Sequence, residues 1–266
     1  MIYIAKTTLK GIFRDRVFQG IMVVALLFLA IPAVALLSMR QVAELSITLS
    51  LSLLSFILLL LSVSLGATSL WKDIERRYTF SVLSLPLSRS SYIVGRFLGF
   101  AVFMILSSLV LGTVACLVIK FSSSMFPSPS GQPIVWWYVV AAMLFATMKY
   151  ILLIAFAMLF SSVSTSFFLP VFGTICAYFA SSITQQVYEF VNSPASEKSI
   201  SPLIKYASTA VYYILPNLAG FDLKVNAIYS IAPNPIGLGL TVLYFFAYIS
   251  ILLSGTCLLF GRREMK

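Results

Sequence analysis

The residues best suited to chemistry lie in a charge-rich segment, residues 71–96, between two long apolar stretches. It holds seven of the chain's 26 charged residues (18 basic and 8 acidic): Lys72, Asp73, Glu75, Arg76, Arg77, Arg89 and Arg96. Charged groups of both signs form ion pairs and charge-assisted hydrogen bonds with an aqueous partner. At helical spacing the larger apolar residues share one face, namely Trp71, Ile74, Tyr78, Val82 and Leu85. The pattern predicts an amphipathic helix that Pro86 ends.

Two interpretations of this segment stay open on its residues alone. A plain connection between two spans needs only a few residues, so a long segment with an apolar face and mixed charges indicates a protein-docking surface. The alternative is a helix that rests on lipid headgroups. Asp73 and Glu75 favour docking, because the inner leaflet of a membrane is anionic and repels carboxylates.

A second candidate is Lys149, the only charged residue inside an apolar span. It lies near the middle of residues 136–160, and no span contains an acidic residue to pair with it. An ammonium group at that depth needs water, carbonyls or hydroxyls, or it must extend to an interface. Two roles stay open: a cation that faces a cavity and attracts an anionic head group, or a lysine satisfied within the structure.

Hydroxyl groups of the second apolar stretch fall within one narrow arc of a helix, which also contains Gly66. They belong to Thr48, Ser52, Ser55 and Ser62. Small and hydroxylic residues let helices approach closely, and packing is the favoured interpretation of this arc. The alternative is the polar lining of a transport path, shared with Lys149.

Composition predicts the class of protein that positions these groups. Apolar residues make up 60% of the chain and charged residues 10%, whereas soluble domains carry about 25% charged residues. The chain is therefore predicted to dissolve in a bilayer. Its net charge of +10 reflects topology and not nucleic-acid binding, since the basic residues flank apolar spans. The chain has no His, and its three Cys lie in separate spans without CxxC spacing, so zinc or redox chemistry is not expected.

Six stretches reach the roughly 20 apolar residues that a transmembrane helix needs: residues 17–39, 45–70, 97–119, 136–160, 167–188 and 236–260. Four basic residues precede the first span, five lie in residues 71–96 and three follow the last span, which makes 12 of 18 on one side. The positive-inside rule places both termini and residues 71–96 in the cytoplasm.

Two further helical segments are expected outside the spans. Residues 1–16 are predicted to form an interfacial helix in the headgroup plane, with a fraying tail as the alternative. Residues 189–235 face outside, and their apolar part, 203–215, is too short to cross and predicts an interfacial or re-entrant helix at the outer leaflet. The predicted fold is thus an all-α integral membrane protein with six transmembrane helices.

Several features together resemble the permease subunits of ABC-2 type transporters. They are the six spans, the N-terminal helix, the string IERRYTFSVLSLPLSR from Ile74 to Arg89, and Tyr92-Ile93-Val94-Gly95-Arg96. In that family an acidic residue opens the cytoplasmic helix, a leucine-rich run leads to LP-x-S/T-R, and a glycine and a basic residue enter span three. The ending Phe260-Gly261-Arg262-Arg263-Glu264 and the outer Leu215-Pro216-Asn217 are also similar to the family. Tyr78 departs from it, standing where a glycine is frequent.

The resemblance implies one permease domain over residues 1–266 in a bacterial inner membrane. It implies an exporter built from two copies, or from this chain and a close homologue, with two ATP-binding subunits that carry the ATP and Mg. Membrane lipids and a periplasmic accessory protein are further partners to consider, and no nucleic acid is expected. The residues that would couple to the ATP-binding subunit are Asp73, Glu75, Arg76, Arg77, Tyr78, Leu83, Leu85, Pro86 and Arg89.

Other functions are weighed against the same residues. The chain has no GxxxxGK[S/T] phosphate loop, so it is not expected to be an enzyme or to bind nucleotide itself. A proton- or sodium-driven carrier would need an intramembrane acid or His. A lipid-modifying membrane enzyme would need clustered His or carboxylates, whereas the acids here are scattered. A permease that serves assembly of a metalloenzyme or an extracytoplasmic machine would share the same architecture and stays open.

Overall fold

A computed structural model describes residues 2–28, 42–69, 88–125, 134–193 and 201–262, and these residues are almost entirely helical. The helices are α1 (Ile2–Arg14), α2 (Arg16–Phe28), α3 (Val42–Val63), α4 (Arg89–Met125), α5 (Trp136–Val163), α6 (Phe168–Val191), α7 (Pro202–Ile214), α8 (Lys224–Ile228) and α9 (Pro235–Arg262). A π-helical turn, Ser64–Ser69, continues α3, and a 3-10 turn, Ala219–Phe221, precedes α8.

Five of the described helices are long and apolar enough to cross a membrane: α3 with its π-helical turn, α4, α5, α6 and α9. The prediction of an all-α, multi-pass membrane protein is confirmed. The predicted first span, residues 17–39, is described only in its first part, where α2 is 13 residues long and covers about 20 Å at 1.5 Å per residue. Residues 29–39 lie outside the described ranges, so the count of six spans stays a prediction.

One boundary differs clearly from the prediction. The third span was placed at residues 97–119, but α4 has 37 residues and begins at Arg89. At 1.5 Å per residue it is about 55 Å long, which exceeds the roughly 30 Å hydrocarbon core. Ser88 caps this early start, since its Oγ accepts the backbone N–H of Ser91 at 3.2 Å. The last part of residues 71–96 is thus the first two turns of α4.

Helix α5 forms the centre of the bundle and is buried over most of its length. It packs against α3, α4, α6, α8 and α9, and its residues Leu152, Leu153, Ile154 and Ala155 are fully buried. Gly66 of the π-helical turn faces it so closely that a Cβ there would lie 3.1 Å from the carbonyl oxygen of Ile154. At Gly66, a small residue allows the close helix packing that was predicted for the second apolar stretch.

Helix α1 lies along α4 and is amphipathic, as residues 1–16 predicted. Its buried residues are Ile4, Thr8 and Ile12, whereas Ile2 and Phe13 are exposed over more than half of their surface. The Phe13 ring also meets Phe103 of α4 edge-on, with ring centroids 5.3 Å apart.

The segment predicted to face outside, residues 189–235, contains a part that the sequence did not single out. The predicted short helix is present as α7, which packs against α6 and is largely exposed. The chain then turns inward, and Leu218, Phe221 and Ala227 are buried against α5, α6 and α3. Residues 218–228, called here the re-entrant segment, are therefore the portion that enters the bundle.

Candidate functional site

Most of the predicted coupling residues fall in the ranges that the structure does not describe. The amphipathic helix and its charges therefore stay a prediction for Asp73, Glu75, Arg76, Arg77, Tyr78, Leu83, Leu85 and Pro86. The described part begins at Ser88, directly after that segment, and includes Arg89 and Arg96. The contacts of Arg89 and Arg96 show how the start of α4, which follows the predicted coupling residues, is attached to the bundle.

Arg89 attaches the start of α4 to the end of α9. Its Nη1 donates a hydrogen bond to the carbonyl oxygen of Gly261 at 3.0 Å, in the last turn of α9, where helix carbonyls lack partners within the helix and attract cations. One turn further along α4, the Tyr92 ring stacks on Phe260 with centroids 6.1 Å apart and planes 24° apart. The two helices are thus joined by a polar contact and a buried aromatic pair.

Arg96 attaches the same part of α4 to α1. Its guanidinium carbon lies 5.9 Å from the Tyr92 ring centroid and 5.7 Å from that of Phe100, within the range of cation–π attraction. Its Nη1 also donates to Thr8 Oγ1 of α1 at 3.4 Å. This side chain therefore bridges α4 and α1 through an apolar environment.

Glycine makes the α1–α4 contact possible. A Cβ on Gly99 would lie 2.7 Å from the Cβ of Thr8 and 3.0 Å from the carbonyl oxygen of Ala5, distances that real side chains do not tolerate. The contacts among Thr8, Arg89, Tyr92, Arg96, Gly99, Phe260 and Gly261 are called the junction below. The junction joins α1, α4 and α9 directly after residues 71–87, the part of the predicted coupling segment that lies outside the described ranges.

The second candidate site surrounds Lys149. This lysine is buried, with 6% of its surface exposed, and its Nζ lies 5.2 Å from the Tyr178 ring centroid and 5.9 Å from that of Tyr150. The Tyr150 and Tyr178 rings stack with centroids 6.2 Å apart, and the Tyr150 hydroxyl is 2.5 Å from Ser55 Oγ. These four residues, from α3, α5 and α6, are called the lysine cluster.

Charged residues of the re-entrant segment also interact electrostatically with the cluster. The carboxylate of Asp222 attracts Lys149 and the ammonium of Lys224 repels it. The sequence predicted no carboxylate partner because no span contains an acid. It missed Asp222, an exposed residue of the re-entrant segment that acts on Lys149 through its charge.

Asn217 fixes the position of the re-entrant segment. Its backbone N–H donates to the Tyr244 hydroxyl of α9 at 2.9 Å, and its Nδ2 donates to Gln185 Oε1 of α6 at 2.8 Å. Its Oδ1 accepts the backbone N–H groups of Ala219 at 3.0 Å and Gly220 at 3.3 Å. The backbone of Asn217 thereby ties the inward turn to α9, and its side chain ties the turn to α6. The sequence singled out this position only through the family's Leu-Pro-Asn motif.

The predicted arc of hydroxyls on α3 does not act as one surface. Ser55 is buried and belongs to the lysine cluster, whereas Ser62 is buried and bonds to the carbonyl of Leu59 in its own helix. Thr48 is half-buried and bonds to the carbonyl of Glu44, and Ser52 is exposed. Only Ser55 is brought together with Lys149. No group of three or more His, Cys, Asp or Glu residues in the described ranges could hold a metal ion.

Comparison with known proteins gives one family. A family model described as "ABC-2 family transporter protein" matches residues 12–219, which include residues 71–96, four of the seven junction residues and the whole lysine cluster. No curated protein matches the chain.

Proposed function

We propose, because the chain belongs to the ABC-2 family of transporter proteins, that it is the permease subunit of an ATP-driven exporter. The family is a membrane component of transporters, and the five long apolar helices fit that role. Members of the family generally pair with ABC ATP-binding subunits. On this proposal the ATP and Mg reside on two such subunits, and this chain converts their motion into altered access across the bacterial inner membrane.

The observation that carries the proposal is the junction. Residues 71–87 continue directly into Ser88 and α4, so a displacement of the coupling segment pulls on the start of α4. Arg89 and Tyr92 link that start to α9, and Arg96 and Gly99 link it to α1. Close-packed contacts transmit displacement with little slack. A push on the coupling segment is therefore expected to move α1, α4 and α9 together.

The transport path is proposed to lie between two copies of the chain. Helix α6 leaves Phe172, Phe179 and Ile183 exposed, and the face that carries them would meet a second copy or a close homologue. The lysine cluster lies behind this face, since Tyr178 belongs to α6. Lys149 is proposed to attract an anionic head group when α6 and the re-entrant segment separate from α5.

The coupling role is tested by reversing two charges in the assembled transporter. Glu75→Arg combined with Arg76→Glu is expected to abolish transport in vesicles that contain the chain and its ATP-binding subunit, while the chain still inserts and folds. The matched control is Lys205→Glu on α7, an exposed charge on the side predicted to face outside, which should leave transport unchanged. Full transport by the double variant would remove the docking claim.

A further inference from the structure

A groove between α4 and α5 has a volume of about 590 Å³ and plays no part in the proposed coupling or transport path. Its α4 side follows one stripe of the helix from Ser108 to Lys120, and its α5 side runs from Trp136 to Leu144. Gly112 lets the two helices approach at the base of the groove, because a Cβ there would lie 3.2 Å from Met143 Sδ. The groove is therefore a channel along two helices and not a gap between loops.

The groove matches one leaflet of a bilayer in length. From Ser108 to Lys120 the helix rises about 18 Å at 1.5 Å per residue, and half of a bilayer's hydrocarbon core is about 15 Å. Ser108 lies near the middle of α4, and its Oγ is 2.5 Å from Thr147 Oγ1 of α5. The polar groups at the deep end thus satisfy each other, which leaves an apolar wall. Such a channel fits one extended hydrocarbon chain.

The other end of the groove carries a positive charge. Lys120 is exposed there, beside Trp136, a residue type that favours the membrane–water interface. Between Arg96 and Lys149 the sequence contains no charged residue other than Lys120, and within the described part of the chain Lys120 forms no ion pair. A cation at the headgroup end of a hydrocarbon channel selects an anionic headgroup.

We infer that this groove binds a membrane lipid with an anionic headgroup, whose acyl chain lies between α4 and α5 and whose phosphate meets Lys120. The lipid comes from the leaflet that Lys120 faces, which is the outer one in the proposed orientation. The occupant is a bound lipid and not the transported substrate, because no residue of the lysine cluster lines the groove. The inference does not depend on the direction or energy source of transport.

Trp136 supplies a reporter inside the groove. The chain has three tryptophans, so Trp71→Phe with Trp137→Phe leaves Trp136 as the only one. This full-length variant is placed in two nanodiscs of identical phosphatidylglycerol and phosphatidylcholine content. In one, the phosphatidylglycerol chains are brominated; in the other, an equal amount of the phosphatidylcholine is brominated. Bromine quenches tryptophan on contact, so the two intensities compare which lipid occupies the groove.

Phosphatidylglycerol is expected to be enriched next to Trp136 about fivefold, the size that one lysine gives beside an anionic lipid. Lys120→Gln should bring the two lipids to equal quenching, whereas Lys205→Gln, an exposed lysine outside the groove, should not. Thr113→Phe, which fills the groove from an exposed position, should also remove the preference, and Ile105→Phe on a lipid-facing part of the same helix should keep it.

Two results would overturn the inference, namely equal quenching by both lipids in the parent variant, or a preference that survives Lys120→Gln. Where quenching in the parent is equal, self-association is also compared between the parent and Thr113→Phe, and the informative result is a loss of self-association in the variant. The last result would assign the groove to contact with a second copy. All measurements are made without nucleotide, so a negative result here leaves the proposed transporter function standing.

Discussion

At the Arg89 end of the bundle, α1, α4 and α9 are joined by stacked rings, a glycine contact and an arginine held over two aromatic faces. At the opposite end, the re-entrant segment is held by the buried side chains of Leu218, Phe221 and Ala227 and by hydrogen bonds that converge on Asn217. Close packing resists sliding because any displacement creates overlap, whereas hydrogen bonds can be exchanged for bonds to water. We therefore expect the Arg89 end to transmit motion and the re-entrant segment, which depends in part on hydrogen bonds, to separate more readily from the bundle.

The largest expected effect comes from Gly99→Ala, which attacks the packed end. The added methyl would lie 2.7 Å from Thr8 Cβ, so α1 must move away at a cost of roughly 1–3 kcal/mol, typical of overpacked contacts. We expect near-complete loss of transport with ATP hydrolysis retained, measured together in vesicles that contain the ATP-binding subunit. Gly20→Ala is the matched control, because nothing lies within 4 Å of a Cβ at that position. Equal transport by the two variants would break the distinction between the ends.

Asn217→Ala tests the hydrogen-bonded end. The substitution removes the side-chain bonds to Gln185, Ala219 and Gly220, each with a net value of about 1 kcal/mol. We expect faster hydrogen exchange over residues 218–228 and little change at the junction. Asn192→Ala is the control, since that amide bonds back to Tyr188 of its own helix. Unchanged exchange in residues 218–228 would show that Asn217 does not hold the segment.

Lys149→Met tests whether Lys149 lies on the transport path or only packs within the bundle. Methionine has a similar length and suits the buried, ring-lined site, so the fold should persist. If Lys149 attracts an anionic head group, transport should fall about tenfold, the factor that loss of roughly 1.4 kcal/mol of attraction produces. Undiminished transport in reconstituted vesicles would assign the lysine to packing against Tyr150 and Tyr178.

The smallest effect is expected from Arg89→Gln. Its hydrogen bond to Gly261 is exposed, and exposed contacts of charged groups contribute about 0–1 kcal/mol. The Tyr92–Phe260 stack should keep α4 against α9, so transport should decline by less than about threefold. Tyr92→Ala should have a larger effect than Arg89→Gln. The reverse order would place the mechanical link in the polar contact and not in the aromatic pair.

The sequence predicted the helices better than their contacts. Long apolar runs predict membrane helices because lipid leaves the backbone few other ways to satisfy its hydrogen bonds. The coupling residues were identified through a family string, but the partners of Arg89 and Arg96 lie 172 and 88 residues away. No periodic pattern encodes contacts at that separation, so the junction could not be predicted.

The sequence of an apolar helix also does not indicate which of its faces is buried. Helices α4 and α5 are apolar all round, so no periodicity marks the stripe that forms the groove or the face of α5 that carries Lys149. The hydroxyls predicted to share an arc of α3 have different surroundings, since Ser52 is exposed and Ser55 is buried by neighbouring helices. Asp222 was missed because an inward turn at a Pro-Asn pair resembles an ordinary outer loop in sequence.

The most direct test of the account is a photo-crosslinking residue placed at position 75, with position 222 as the matched site at the other end. In cells that also produce an ABC ATP-binding subunit, we predict a crosslink from position 75 to that subunit and none from position 222. A crosslink pattern in which position 75 captures no nucleotide hydrolase, or labelling of position 75 by a membrane-impermeant reagent from outside, would contradict the account.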